Sequence, residues 1–220
     1  MRVLVIGDSC WDVFKYGNVY ENLKSLNVEC VLVSNKEEIF KTRYVDKASN
    51  HMIMRVDTGE LQVSRVQSLN TMQLSSYEAI IISDYDKGFL HKDDIEYICS
   101  HNSNVFMDTK KILGDWCQSA RFIKINHHEH EKSEEYILNN EWIQESLITT
   151  RGASGAEYRG KTLPVKAVEV KDLIGAGDSF LAGLVKQYLE SGDIYKSIIF
   201  ANECATKVVQ QKGVNTCGAI

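Results

Sequence analysis

The chain has 220 residues, 44% hydrophobic and 25% charged, an ordinary balance for a soluble globular protein with one sizeable core. A net charge of −5 argues against a broad nucleic-acid-binding surface, while leaving room for a local basic pocket for a phosphorylated small molecule. Its longest apolar runs are too short for a signal peptide or membrane span, and its six cysteines form no C-x-x-C pair, so reduced thiols, a cytoplasmic location and a single domain over 1–220 are the expectation.

Val3 to Ile6 is a continuous apolar run closed by Gly7-Asp8, the pattern of a strand buried on both faces of a parallel sheet. Asp8 and Asp12 follow at its carboxyl end, where open α/β sheets bind ligands. Turn or helix capping is the plainer reading of both. Val13 to Tyr20 is expected as a short exposed strand, Asn22 to Leu26 as a weak helix, and Val28 to Ser34 as a strand. Ile39 to Val45 and His51 to Val56 flank Asp46-Lys-Ala-Ser-Asn50, which is turn chemistry, and read as a hairpin. Lys41, Arg43 and Arg55 alternate with apolar residues there. They are either a cluster that holds a sugar phosphate or edge charges that discourage pairing.

Glu60 to Ser76 reads as a connection with some helix. Ala79 to Ile82 is the next buried strand, ending in Ser83-Asp84-Tyr85-Asp86-Lys87-Gly88. His91 to Ser100 is a helix anchored by Ile95 and Ile98. Val105 to Met107 is a strand followed by Asp108-Thr109-Lys110, in which Lys110 is a candidate phosphate contact or an ordinary surface lysine. Ala120 to Ile125 is a strand ending in Asn126-His-His-Glu129. Here His127, His128 and His130 with Glu131 suggest a metal cluster. Ligands on one short segment rarely converge, however, which weighs against zinc.

Leu147 to Thr150 leads into Arg151-Gly152 and Gly155. Leu163 to Val170 alternates apolar and polar residues like a half-buried strand. It runs into Asp172-Leu-Ile-Gly175-Ala176-Gly177-Asp178-Ser-Phe180, after which Leu181, Leu184, Val185 and Tyr188 fall at helical spacing. Gly175, Ala176 and Gly177 therefore open a helix, whose first N–H groups and dipole form a ready anion site. A carboxylate at Asp178 would repel that anion. It makes sense as a base that takes a proton from an incoming hydroxyl, or simply as a charge favoured near the helix start. Gly192 is the expected stop, and Ile194 to Val209 a final amphipathic helix.

The string D-x-x-G-A-G-D-S-F resembles the C-terminal signature of the ribokinase-like sugar kinases. G-D-x-x-x-D, K-T-R-Y-V, S-D-Y-x-K-G, N-x-x-E and T-R-G-x-x-G stand before it in the order that family has them. The branch most similar is the heptose 7-phosphate kinases. The resemblance implies an α/β fold, a mostly parallel central sheet with helices on both faces and a small β lid, here segments about 13–20 and 38–57. It implies transfer of the γ-phosphoryl group of ATP, with Mg²⁺, to a hydroxyl of a sugar or sugar phosphate. Asp178 would be the base, with the N–H groups of Gly175, Ala176 and Gly177 as anion hole. Asn126 and Glu129 would organise the hydrated Mg²⁺ and phosphates. Thr150, Gly152, Gly155, Asp172, Asn202 and Gly213 would lie on the ATP side. Asp8, Asp12, Lys41, Arg43, Asp84, Lys87 and Lys110 would lie on the sugar side. A homodimer through the lid is the expected assembly; neither nucleic acid nor a membrane is an expected partner.

The chain departs from the family in one respect. The glycine-rich G-G-x-x-N segment that helps form the sugar site is missing, and no G-G pair occurs anywhere. Two further readings stay open on that ground. One is a reduced, non-catalytic relative that binds nucleotide or sugar phosphate. The other is a kinase of another small alcohol, such as a hexose phosphate or nucleoside.

Overall fold

The computed structural model describes residues 1–12, 19–46, 52–213 and 215–218, with the backbone alone for Trp11 and Asp12. The apolar run near the N-terminus forms β1 (Arg2–Gly7), followed by β2 (Trp11–Asp12), helix α1 (Val19–Ser25) and β3 (Glu29–Val33). The hairpin is β4 (Phe40–Val45) and β5 (Met52–Thr58). Then come β6 (Ala79–Asp84), α2 (Lys92–His101), β7 (Val105–Thr109), β8 (Phe122–Asn126), α3 (His127–Lys132), α4 (Glu134–Asn139) and β9 (Leu147–Thr150). The chain closes with β10 (Ala156–Tyr158), β11 (Lys161–Leu163), α5 (Ala176–Ser191) and α6 (Ile194–Val209).

Eight strands form one sheet in the order β11-β10-β9-β8-β7-β6-β1-β3. The six from β9 to β3 are parallel, and the β9-β10-β11 edge is antiparallel. Strand alternation splits the core into two layers. Leu4, Ile6, Ile80 and Ile82 pack with Ile95 and Ile98 of α2 on one face. Val3, Val5, Ile81 and Phe106 pack with Leu181 and Leu184 of α5 and Ile198 of α6 on the other. Both faces are covered, which is why these strands read as unbroken apolar runs.

The direction of strand addition reverses at β1, which lies between β3 and β6, so the carboxyl ends of β1 and β6 flank a switch point where ligands bind in such sheets. The two strands close tightly there. A Cβ on Gly7 would lie 1.9 Å from the Ser83 carbonyl oxygen, and Asp8 N–H donates to that oxygen at 3.1 Å.

The second sheet, β2-β4-β5, lies apart from the first and corresponds to the expected lid. Lys41 pairs with Asp57 and Arg43 with Arg55 across the hairpin, so Lys41, Arg43, Arg55 and Asp57 share one face. Phe40, Tyr44 and Met54 share the other and are exposed.

Two expectations differ from the structure. Val19 and Tyr20 open α1 rather than ending a strand, because Val19, Asn22 and Leu23 bury one helical face; residues 13–18 of that expected segment lie outside the described residues. The strand expected at 163–170 ends at Leu163. Pro164 follows and has no N–H to continue the ladder, and beyond it only Val165 and Val168 are half-buried, three apart rather than two. Between β5 and β6 the chain makes three single 3₁₀ turns. Among the described residues no helix is long and apolar enough to cross a membrane.

Candidate active site

Gly175 is the N-cap of α5, at φ 79°, a left-handed conformation that glycine adopts without strain. It turns the chain so that Ala176, Gly177 and Asp178 form the first helical turn, with their N–H groups free of intrahelical partners. The helix is held in place from behind. Ser179 Oγ donates to buried Asn22 Oδ1 of α1 at 2.9 Å, and Gly183 lets α6 approach so closely that a Cβ would meet Cys204 Sγ at 2.8 Å.

Asp178 sits at the focus of charged groups from three strands. The Tyr85 hydroxyl, just past β6, donates to Asp178 Oδ1 at 2.8 Å. Burial pushes the Asp178 carboxyl up to about 6; the Tyr85 hydrogen bond, Lys124 and Lys110 oppose this, and Asp108 adds to it. Burial, with Asp178 beside it, holds the Tyr85 phenol well above its usual range, so it remains an O–H donor. Lys124 of β8 is 3% exposed and pairs with Asp108 Oδ2 of β7 at 2.6 Å. Its ammonium lies 3.0 Å from where a Cβ on Gly177 would stand, which places a buried cation against the first turn of α5.

Asn126 and Glu129 form a capping box on α3, the N-cap and N3 positions that N-x-x-E spacing specifies. Glu129 accepts from Asn126 N–H at 2.7 Å and from Asn126 Nδ2 at 2.8 Å, and pairs with Lys110. Burial opposes the charge of Lys110, but Asp108 and Glu129 hold its ammonium above the usual range. His127 and His128 flank Glu131 on the exposed side of α3. Among the described residues no group of three His, Cys, Asp or Glu is placed to hold a metal ion directly.

On the far side of Gly177 lies a cavity of about 510 Å³, lined by Thr150, Gly152, Gly155, Val165, Val168, Ala176, Phe180, Asn202 and Val209 among others. Its walls are largely apolar, as a planar heterocycle requires. Asn202 Nδ2 is committed to the Leu163 carbonyl at 2.9 Å. Asp172 staples the approach to α5 onto the chain after α6, accepting from Ile174 N–H at 3.0 Å and Gly213 N–H at 3.1 Å. The segment 164–170, expected as a strand, instead forms part of the cavity wall.

At the carboxyl end of β1, Asp8 Oδ2 accepts from Tyr85 N–H at 2.8 Å and Lys87 N–H at 3.4 Å. Burial and the nearby Asp84 raise its pKa. Lys41 Nζ of the lid stands 4.6 Å over the Tyr85 ring. Burial and the neighbouring Arg55 lower the pKa of the Arg43 guanidinium, and Asp172 and Asp57 oppose this. The backbone of Asp12 pairs beside Lys41, and its side chain lies outside what is described. Lys87 pairs with Glu60 at 2.5 Å. Asp84 faces into the protein, held by Thr109 Oγ1 at 2.5 Å and Lys111 Nζ at 2.8 Å.

The structure thus gathers Asp178, Gly177, Lys110, Glu129 and the cavity residues, and keeps Asp84 apart as a structural carboxylate. Three residues that sequence reasoning passed over, Tyr85, Asp108 and Lys124, belong to the centre. Lys124 had a signal: it is the one charged residue inside an otherwise apolar buried strand.

The fold is that of a ribokinase-like α/β protein. Arabidopsis thaliana ribokinase complexed with ribose and ATP superposes with a TM-score of 0.69 at 12% identity, covering 96% of this chain and 93% of that one. The Methanocaldococcus jannaschii nucleoside kinase gives 0.64 at 20% identity, covering 96% and 92%. In sequence, the Bifunctional protein HldE of a Nitratiruptor species is 30% identical over 209 residues, 84% of this chain and 45% of that protein. The chain therefore spans about half the length of the curated relatives it matches. The profile described as pfkB family carbohydrate kinase matches residues 16–219, and the chain belongs to that family, whose members are phosphotransferases acting on alcohol groups.

Proposed function

We propose that this chain transfers the γ-phosphoryl group of ATP to a hydroxyl of a sugar phosphate of the heptose 7-phosphate type. The observation that carries the reading is Asp178 at the first turn of α5, with an apolar cavity at Gly177 and the buried Lys124 ammonium packed against that glycine. The adenine occupies the cavity. The acceptor lies under the lid, where the face bearing Lys41, Arg43 and Arg55 meets its phosphate.

Asp178 takes the proton of the acceptor hydroxyl as that oxygen bonds to the γ-phosphorus, and the bond from phosphorus to the β-bridging oxygen breaks to release ADP. General-base help of this kind contributes on the order of 10²–10⁴-fold. The N–H groups of Gly175, Ala176 and Gly177, with Lys124 beneath them, hold the charge on the transferred group. The residues present suit a hydrated Mg²⁺ rather than a direct cage: the oxygens of Glu129 are already engaged by Asn126 and Lys110. Asn126 and Glu129 would hold such an ion through water, and bound there it neutralises phosphate charge. We further propose that the exposed face of the lid, Phe40, Tyr44 and Met54, pairs with a second copy.

A panel of sugars and sugar phosphates tested for stimulated ADP release from Mg·ATP decides the substrate class. Stimulation by heptose 7-phosphates supports the reading. Stimulation by hexose phosphates or nucleosides alone overturns its substrate half, and ATP binding without stimulation by any acceptor overturns its catalytic half.

A further inference from the structure

Tyr85 touches three elements at the centre. Its backbone N–H is held by Asp8 at the end of β1 at 2.8 Å. Lys41 of the lid lies 4.6 Å over its ring. Its hydroxyl donates to Asp178 Oδ1 of α5 at 2.8 Å. Among the described residues Asp178 Oδ2 accepts no hydrogen bond, so the two oxygens of this carboxylate are in different situations.

We propose that Tyr85 is the positioning residue of the base: its hydroxyl fixes Asp178 through Oδ1 and leaves Oδ2 as the oxygen that takes the acceptor proton, and its ring carries the placement of the lid to that carboxylate. This rests on the reading of Asp178 as the base. A carboxylate gripped at one oxygen cannot spin between rotamers, so the free oxygen is preorganised for the incoming hydroxyl. The same bond favours the charged form and works against the desolvation of the site. The other titratable groups facing Asp178 are Asp108, Lys124 and Lys110, and those facing Tyr85 are Asp108, Cys10 and Lys41. Among the described residues none of these donates to Oδ1, which is held by Tyr85.

Tyr85→Phe keeps the ring, its contact with Lys41 and the backbone bond to Asp8, and removes only the hydroxyl. The acid limb of the pH–kcat/KM profile should move up by roughly one unit, the size of one hydrogen bond to a charged group. Turnover should fall most at low pH, and the KM for ATP should stay unchanged. NMR of the isotopically labelled Asp178 carboxyl, without substrates, should show the same upward shift. That readout does not need an active enzyme, so it separates this proposal from the kinase reading. If wild-type protein lacks acceptor-stimulated turnover but the carboxyl shift appears, Tyr85 still positions Asp178 and only the assignment of the base falls. Unchanged titration in both readouts overturns the proposal. If Tyr85→Phe folds poorly, a ring-fluorinated tyrosine at position 85, a stronger donor, should move the carboxyl titration down, and no movement overturns the proposal equally.

Discussion

Lys124 Nζ lies 3.0 Å from the point where a side chain on Gly177 would begin, while Asp108 holds that ammonium at 2.6 Å. A side chain at 177 would therefore push on a buried charge beside the turn proposed to hold the transferred phosphoryl group. Gly177→Ala should displace Lys124 and misplace the N–H group of residue 177. Loss of one such donor costs about 10²–10³-fold in kcat. Steady-state kinetics beside a circular dichroism melt will show a lost rate on a retained fold.

Lys124→Met tests the same relationship from the other side. It leaves the Asp108 carboxylate buried without its cation, and breaking a buried pair costs about 3–5 kcal/mol. Urea unfolding should register that loss. The double variant Lys124→Met with Asp108→Leu should recover most of it, because neither member of that pair is then left as an uncompensated charge.

Activity should depend on a single ionisation at low pH. Burial raises Asp178 to about 6, and only the carboxylate accepts the acceptor proton. The kcat/KM, which reports the free enzyme, should be flat above about 7 and fall tenfold per pH unit below about 5. A limb centred near 4 would place the base in an ordinary solvated site, contrary to its burial.

The same shift carries a stability consequence. The folded pKa of Asp178, about 6, lies above the ordinary 3.8, so its contribution is fully present below about 3.8 and is lost as pH rises through 6. Above that range the wild type bears a desolvated carboxylate. Asp178→Asn should therefore melt higher than wild type at pH 8, with the difference shrinking at pH 4. For a chain of this size each kcal/mol moves Tm by about 2–4 °C.

The lid predicts an assembly. Tyr44 is 52% and Met54 50% exposed on a shared apolar face, which is costly to leave in water. Replacing both with Glu should convert a sedimenting dimer into a monomer. Unchanged sedimentation would remove the lid from the interface.

Much of this was legible from local pattern. The run Val3–Ile6 and the helix after Gly177 announced themselves because a strand covered on both faces and a two-residue glycine turn leave few alternatives. N-x-x-E was legible as a motif, yet its spacing is also that of a capping box, and the structure shows the residues serving as one. Alternation misled at 163–170, where Pro164 ends the ladder and the following residues wall a cavity instead. The roles of Tyr85, Asp84 and Lys124 were hidden for one reason. Each depends on a partner from another part of the chain (Asp178, Lys111 and Asp108), and such pairings exist only once the sheet is ordered.

The central claim is that Asp178 is the base of a phosphoryl transfer. The most direct test is acceptor-dependent ADP release by wild type and by Asp178→Asn, with ATP binding measured calorimetrically on both. The account predicts turnover in the wild type and its loss in the variant, with ATP affinity retained. Equal turnover in the two proteins would contradict it.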